Sequence, residues 1–302
     1  MPDLAIFTAP KPFTNPHIAL IQRNAIYSWL NLGPQVEVIL LGEEAGLAEF
    51  AAGCGAKHIP DVARNANGTP LVNSMFDLAR RHSASPLMCC VNADILLMPD
   101  VVQGALDAAR QAKQFLIVGQ RYDLEVNEPL AFTFGWPERL RLRARTQGKL
   151  HRASGSDYFI FPRDCFTGMP AFAIGRAGWD NWMIYAGRRN GWPVIDGTPS
   201  IMIVHQDHDY SHLPGGQPHY RLPETFENVR LAGGQRAIFE LQDVNCRLEN
   251  GQIRPVARSW KKFWREVEIF PLVKLHSYAL GQLFYTIFHP KKAYQEFRKS
   301  NN

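Results

Sequence analysis

Three short stretches hold residue types that do chemistry. The first is Asn92-Ala93-Asp94, which follows the apolar run Met88-Cys89-Cys90-Val91. A carboxylate at the end of a buried strand faces the ligand crevice of an open α/β sheet. There it can hold a divalent cation against a diphosphate. The alternative is a polar strand end with Asp94 capping the next segment. The second is Gly178-Trp179-Asp180-Asn181-Trp182, where a carboxylate stands between two indoles at a helix start. Apolar walls raise a carboxylate pKa toward working pH and suit Asp180 to general-base work. In the competing reading Asp180 caps the helix while Trp179 and Trp182 anchor a core. The third runs from His205 to His212, with three His and two Asp in eight residues after a strand. His205, where the strand ends, is the candidate metal ligand. His208 and His212 stand four apart, as ligands on one helix face or as surface groups in a loop.

These residues need elements that bring them together. Leu4–Pro10, Val36–Gly42, Lys57–Pro60, Leu87–Leu97 and Phe115–Arg121 read as strands. They alternate with helical stretches at Ile18–Leu32, 44–53, Pro70–His82 and Asp100–Lys113. That alternation predicts an α/β domain with a mostly parallel sheet, helices on both faces and right-handed connections. The strand ends to watch are Thr8 to Lys11, Gly42 to Glu44, Asn92 to Asp94 and Arg121 to Asp123. Past residue 125 the alternation loosens. A basic helix at Pro137–Gln147, a strand at Tyr158–Pro162, a helix at Trp179–Asn190 and strand pieces at Pro193–Ile195 and Ser200–His205 follow. The expected organisation is a domain over 1–253, with a nucleotide-binding half to about 125 and an acceptor and catalytic half over 126–253. A helical extension over 254–302 completes it.

The 302 residues carry a formal charge of +5, which invites nucleic acid or an anionic surface as partner. Its distribution argues otherwise: 254–302 hold ten Lys/Arg against three Asp/Glu, so the body is near neutral and the tail is basic. Ten Phe, Trp and Tyr also fall in that tail, as in Arg258-Ser259-Trp260-Lys261-Lys262-Phe263-Trp264-Arg265. Such a segment suits the interface of an anionic bilayer, or packs on the body with its cations solvated. Five cysteines without a CxxC spacing read as free thiols, and the N-terminal residues lack the pattern of a secretory signal. Placement in the cytoplasm, peripheral to a membrane, is the expectation.

In order along the chain, these stretches resemble the nucleotide-sugar-dependent glycosyltransferases of the GT-A fold, near the large family-2-like group. Asn92-Ala93-Asp94 matches the D-x-D metal motif with its first Asp replaced. Gly155 to Arg163 resembles the family's glycine, apolar strand and basic residue. Ala173 to Trp182 resembles the loop and acidic helix start. Gly191 and His205 match a later glycine and a late metal-site histidine. The resemblance covers about residues 4–212. It implies a Rossmann-like sheet and transfer of a sugar from a nucleotide donor to a hydroxyl of a glycan or lipid-linked glycan. The implied outcome is inversion, with Asp180 as base and Mn2+ or Mg2+ on Asp94 and His205. Donor contacts would come from Thr8, Arg64, Asn65, Asn73, Asn92 and Asp94, and acceptor contacts from Asp157, Tyr158, Trp179 and Trp182. Two other classes compete: a nucleotidyltransferase that makes the sugar nucleotide, and a non-catalytic module whose basic tail binds nucleic acid. The first needs a glycine-rich loop after the first strand, and Thr8-Ala9-Pro10-Lys11-Pro12-Phe13 has no glycine.

Overall fold

A computed structural model describes residues 2–208 and 222–300. In chain order the first half comprises β1 (Leu4–Thr8), α1 (Pro16–Leu30), β2 (Val36–Leu41), α2 (Leu47–Cys54), β3 (Lys57–Ile59), α3 (Val72–His82), β4 (Leu87–Val91), β5 (Ile95–Leu97), α4 (Asp100–Gln111), β6 (Leu116–Val118) and β7 (Tyr122–Leu124). Then come α5 (Trp136–Gln147), β8 (Lys149–Leu150), β9 (Tyr158–Pro162), α6 (Trp179–Arg189), β10 (Val194–Asp196), β11 (Ile203–Gln206) and α7 (Pro223–Ala232). The chain ends in β12 (Cys246–Glu249), β13 (Gln252–Pro255), α8 (Trp260–Val273), α9 (Tyr278–Phe288) and α10 (Pro290–Ser300).

Among the described residues, nine strands form one sheet in the order β13-β12-β10-β6-β9-β4-β1-β2-β3. β1 pairs parallel with β2 and β4, β2 with β3, and β10 with β6 and β12. β9 runs antiparallel between β4 and β6, and β13 antiparallel to β12. The sheet is therefore mixed and mostly parallel. Its strands are apolar on both faces because both are covered. Ala5, Phe7, Met88, Cys90, Phe159 and Phe161 face one core with α3 and α6. Leu4, Ile6, Leu87, Cys89, Tyr158 and Ile160 face the other with α1 and α4.

One run read as a single strand is divided and another is shortened. Leu87–Leu97 breaks into β4 and β5, and Phe115–Arg121 ends at Val118 before β7 begins. The partner strands lie in a second sheet, ordered β5-β11-β7-β8. Hydrophobicity alone does not register the division, because both halves of the first run are buried. The break is made by a turn: Asn92 N donates to Asp157 O on the way into β9, and Ile95 N donates back to Asn92 O. Thus β4, β6 and β10 each end in the large sheet, and the chain continues into the small one as β5, β7 and β11.

The crossing is tight. Tyr158 is fully buried, and its hydroxyl lies against Gly119 after β6 and Gly197 after β10. A Cβ on Gly119 would stand 2.5 Å from that oxygen, and one on Gly197 2.7 Å. Side chains at either position would push the strand ends apart.

In the C-terminal extension Arg254 and Pro255 belong to β13 and helix begins at Trp260. Its helices are tied to the body by ion pairs. Arg265 grips the fully buried Asp243 at 2.7 and 3.1 Å and pairs with Glu268, while Arg188 of α6 pairs with Glu266 at 2.7 Å. Removing Arg265 would strand the Asp243 charge away from water and cost about 3–5 kcal/mol. α9 lies close on α8 at Gly281, where a Cβ would meet Leu272 at 2.4 Å.

The Tyr158 oxygen has no hydrogen-bond partner among the described residues. Tyr158→Phe is expected to hold or raise the urea midpoint, since an unpaired buried hydroxyl is removed. Gly119→Ala should cost about 1–3 kcal/mol by overpacking. The double substitution should recover part of that loss, because the methyl group then meets no hydroxyl.

Candidate functional site

β11 runs between β5 and β7, and its register assembles the site. His205 stands opposite Ile95 in the antiparallel pair and opposite Asp123 in the parallel pair. The strand is held there by Gln206, which is fully buried. Its backbone N donates to Asp94 O at 3.2 Å, its Nε2 donates to Ile21 O at 2.8 Å, and its Oε1 accepts from Asn24 of α1. The strand end carrying His205 is thereby fixed beside the turn carrying Asp94.

His208 Nε2 lies 3.1 Å from Asp94 Oδ2, and His205 Nε2 lies 4.0 Å from the same oxygen. The ligand atoms of Asp94, His205 and His208 all fall within 4.8 Å of one another. On the other edge of the ring, His205 Nδ1 is 3.4 Å from both Asp123 Oδ1 and Asp207 Oδ1. A ring nitrogen between two carboxylates carries the hydrogen, which leaves Nε2 to offer its lone pair toward Asp94 when a cation is held. Asp123 is itself fixed by His151 Nδ1 at 2.6 Å and by Arg121 Nε at 2.8 Å. Arg121 reaches on to Asp157 at 2.6 and 2.7 Å, and Asp157 Oδ1 accepts from Asn92 Nδ2 at 2.9 Å. Asn92, Asp94, Asp123, Asp157 and His205 therefore share one polar network.

The electrostatics fit a cation. Burial pushes Asp94 up, but hydrogen bonding from His208 and the charges of His205 and Lys11 outweigh it and hold Asp94 well below the usual carboxylate range. Burial likewise opposes charge on His205, yet Asp123, Asp207 and Asp94 push it up to about 9. Lys11, in the loop after β1, is lowered mainly by burial, with Asp94 opposing. Asp94 Oδ1 is buried and has no hydrogen-bond partner among the described residues. An unpaired carboxylate oxygen beside two imidazole nitrogens is the donor set of a divalent metal, and the residues present fit one.

Asp180 adjoins this network. It stands in the first turn of α6 and its Oδ1 accepts from Gly178 N at 3.0 Å. Burial is the main cause that pushes its pKa up to about 6; the N–H groups of Asn181 and Gly178 oppose, and the charge of Asp157 adds to the rise. The neighbouring indoles serve packing. Trp179 is buried against Phe159 at 5.0 Å between ring centres, and Trp182, half-buried, packs on Phe172 at 5.5 Å. Of the residues assigned to an acceptor, Asp157 lies in the Arg121 ion pair and the Tyr158 hydroxyl is enclosed between glycines.

Among residues assigned to the donor, Thr8 is buried at the end of β1. Arg64 Nη2 pairs with Glu44 Oε1 at 2.7 Å after β2, and its Nη1 donates to Gly68 O at 2.8 Å. Asn65 Oδ1 closes its own turn by accepting from Asn67 N and Thr69 N, and its Nδ2 donates to Glu224 Oε1 at 2.6 Å. Asn73 Oδ1 and Glu44 Oε2 are buried acceptors without a partner among the described residues. Asn92 faces Asp157, not the Asp94 cluster. Sequence reading gave no role to Lys11, Glu44, Asp123 and His151, and left His208 between a ligand and a surface group. The first three were marked by their strand-end positions and His208 by its histidine-rich stretch, whereas His151 carries no signal. His212 lies outside the described residues.

No family model matches the sequence, and no curated protein matches it. Solved structures do match. The mannosyltransferase PcManGT of Pyrobaculum calidifontis, in complex with GDP-Man and Mn2+, is 14% identical with a TM-score of 0.43; the match covers 70% of this chain and 58% of that one. S. aureus TarS 1-349, in complex with UDP-GlcNAc, is 10% identical with a TM-score of 0.48, over 77% of this chain and 66% of that one. A nucleotide-diphospho-sugar transferase of Desulfovibrio desulfuricans G20 is 14% identical with a TM-score of 0.43, over 77% and 97%. This chain thus spans less than two thirds of the first two.

A carboxyl group that ionises near pH 6 in the native state, and near 4 when unfolded, keeps its proton longer in the native state. Stability then falls as pH rises from about 4 through 6. Asp180→Asn is expected to match wild type near pH 4 and to be more stable at pH 7.5, by on the order of 1–3 kcal/mol. Urea unfolding of both proteins across that range measures the divergence.

Proposed function

We propose that this chain is a glycosyltransferase that moves a sugar from a nucleoside-diphosphate donor to a hydroxyl acceptor with inversion. The observation that carries this reading is a pair of unlike sites linked through Asp157. A cation-holding cluster of Asp94, His205 and His208 lies one network away from a desolvated carboxylate, Asp180, whose pKa is raised to about 6. Departure of a diphosphate needs positive charge at one point, and activation of a hydroxyl needs a base at another.

The residues divide the work. Asp180, half-buried and mostly ionised at neutral pH, takes the acceptor proton as the oxygen attacks the anomeric carbon. Lys11 stands beside Asp94 and faces the charge that grows on the departing diphosphate. Asn73 Oδ1 and Glu44 Oε2 offer acceptors to N–H or O–H groups of the nucleoside, with Thr8 at the end of β1 and Arg64 orienting Glu44. Asp123 holds the His205 ring, and His151 and Arg121 hold Asp123. A divalent ion on Asp94, His205 and His208 would neutralise the diphosphate. Two imidazole donors favour Mn2+ over Mg2+, which prefers oxygen ligands throughout.

Thermal-shift titration with sugar nucleotides, with and without Mn2+, tests the reading. A sugar nucleotide is expected to raise the Tm, more so with Mn2+ than with Mg2+, and Asp94→Asn should erase the Mn2+ increment. Asp180→Asn should bind the same donor and lose transfer by about 10²–10⁴-fold. Wild-type transfer in that variant would remove Asp180 from the role of base.

A further inference from the structure

The chemistry above leaves the outer face of the C-terminal helices without a role. α8 turns Glu268, Ile269, Leu272 and Val273 into the body. Its opposite stripe consists of Trp260, Phe263, Trp264 and Phe270, all exposed, with Trp260 at 73%. These positions share one face at helical spacing. α9 repeats the arrangement, with Gly281 and Tyr285 inward and Leu280, Leu283 and Ile287 outward.

The two stripes are continuous. Phe263, Val267 and Phe270 of α8 line one open apolar groove with Phe284 of α9. The Trp264 and Phe288 rings lie 6.3 Å apart, and Trp260, Phe263 and Trp264 pack on one another at 5.4–5.9 Å. A contiguous apolar face of this kind is uncommon on a soluble monomer and marks an interaction surface. It cannot roll inward, because Arg265 with Asp243 and Arg188 with Glu266 fix the rotation of α8.

Exposed cations stand at the ends of these helices, with Lys261 on the groove beside Gln242 and Lys262. Arg258 and Lys261 stand at the start of α8, Lys274 at its end, and Lys291 and Lys292 at the start of α10. None of the five forms an ion pair among the described residues, whereas Lys262 and Arg265, on the inner side, do. Lys261 and Lys292 both act on the Glu240 carboxyl group, so the starts of α8 and α10 lie close in space. A two-fold contact between copies of this face would set these cations against their own kind. An anionic, partly apolar surface meets both the charge and the aromatic rings. Among the described residues no helix is long and apolar enough to cross a membrane, so the contact would lie along the surface.

We propose that the outer face of α8 and α9, with the Arg258, Lys261, Lys291 and Lys292 cations beside it, docks on the surface of an anionic lipid bilayer. The test uses the full chain with vesicles of phosphatidylcholine alone or mixed with phosphatidylglycerol, read by co-sedimentation and tryptophan emission. Binding and a blue shift are expected with the mixed vesicles, with affinity at least ~10-fold above that for phosphatidylcholine alone. Each near-surface cation contributes about fivefold, so Lys261→Gln/Lys291→Gln/Lys292→Gln should weaken binding on the order of 100-fold. Trp260→Ser/Phe263→Ser should lose the blue shift while keeping the far-UV spectrum of the wild type. Equal affinity for the two vesicles, or no affinity for either, would overturn the proposal. So would a dimer in light scattering that Trp260→Ser/Phe263→Ser dissolves.

Discussion

The site depends on one four-residue strand being held in register. β11 is short, and sliding it by a single residue would turn His205 to the opposite face of the small sheet. Gln206 prevents this with its backbone and side chain together, binding the Asp94 carbonyl, the Ile21 carbonyl and Asn24. A buried amide that satisfies several partners at once tolerates few alternative positions, because each slip strands a polar group away from water. The polar network around Asp94 is a consequence of that anchoring. So is the route of the chain, in which three strand ends cross from the large sheet to the small one around a single tyrosine.

The two parts of the crevice stand in different electrostatic states. Around His205, charges of both signs are close enough to compensate one another, and burial is outweighed by partners. Asp180 has the backbone N–H groups of Asn181, Gly178 and its own residue, yet burial prevails and its pKa rises. A protein built only for stability would pair or remove that carboxylate. Beside Asp157 and desolvated, it gains less from ionisation than a carboxylate at a helix start usually does.

The tail joins two readings that the sequence set against each other. Ion pairs and Gly281 bind the inner faces of α8 and α9 to the body and to each other, yet the aromatic stripes remain outside. Packing on the body and presenting a surface are compatible because the two helices carry apolar residues on two faces. The inner face holds the Arg265 and Glu268 pair, and Glu266, paired with Arg188, lies at the edge of the outer groove.

Local patterning revealed much of the fold. Continuous apolar runs announce strands covered on both sides, and the position of Asp94 at the end of one such run placed it in the crevice. The same holds for the apolar-periodic helices and for the segregation of charge into the tail. What the sequence by itself left open are partnerships between residues far apart in the chain. Asn92 faces Asp157, sixty-five positions on, and His208 meets Asp94 across 114. The Asp123 carboxylate is held by His151, a residue with no distinguishing neighbours. Leu87–Leu97 also looked like one strand, because apolar character is the same in both sheets and only the pairing of Asn92 with the strand beyond Asp157 separates them. Residue types and periodicity act locally and are written in order, so they determined the elements and the candidate carboxylates. Hydrogen-bond register and the desolvation of particular groups arise only when those elements meet, so the tertiary structure decided which carboxylate has its ionised form supported by partners and which has it opposed by burial.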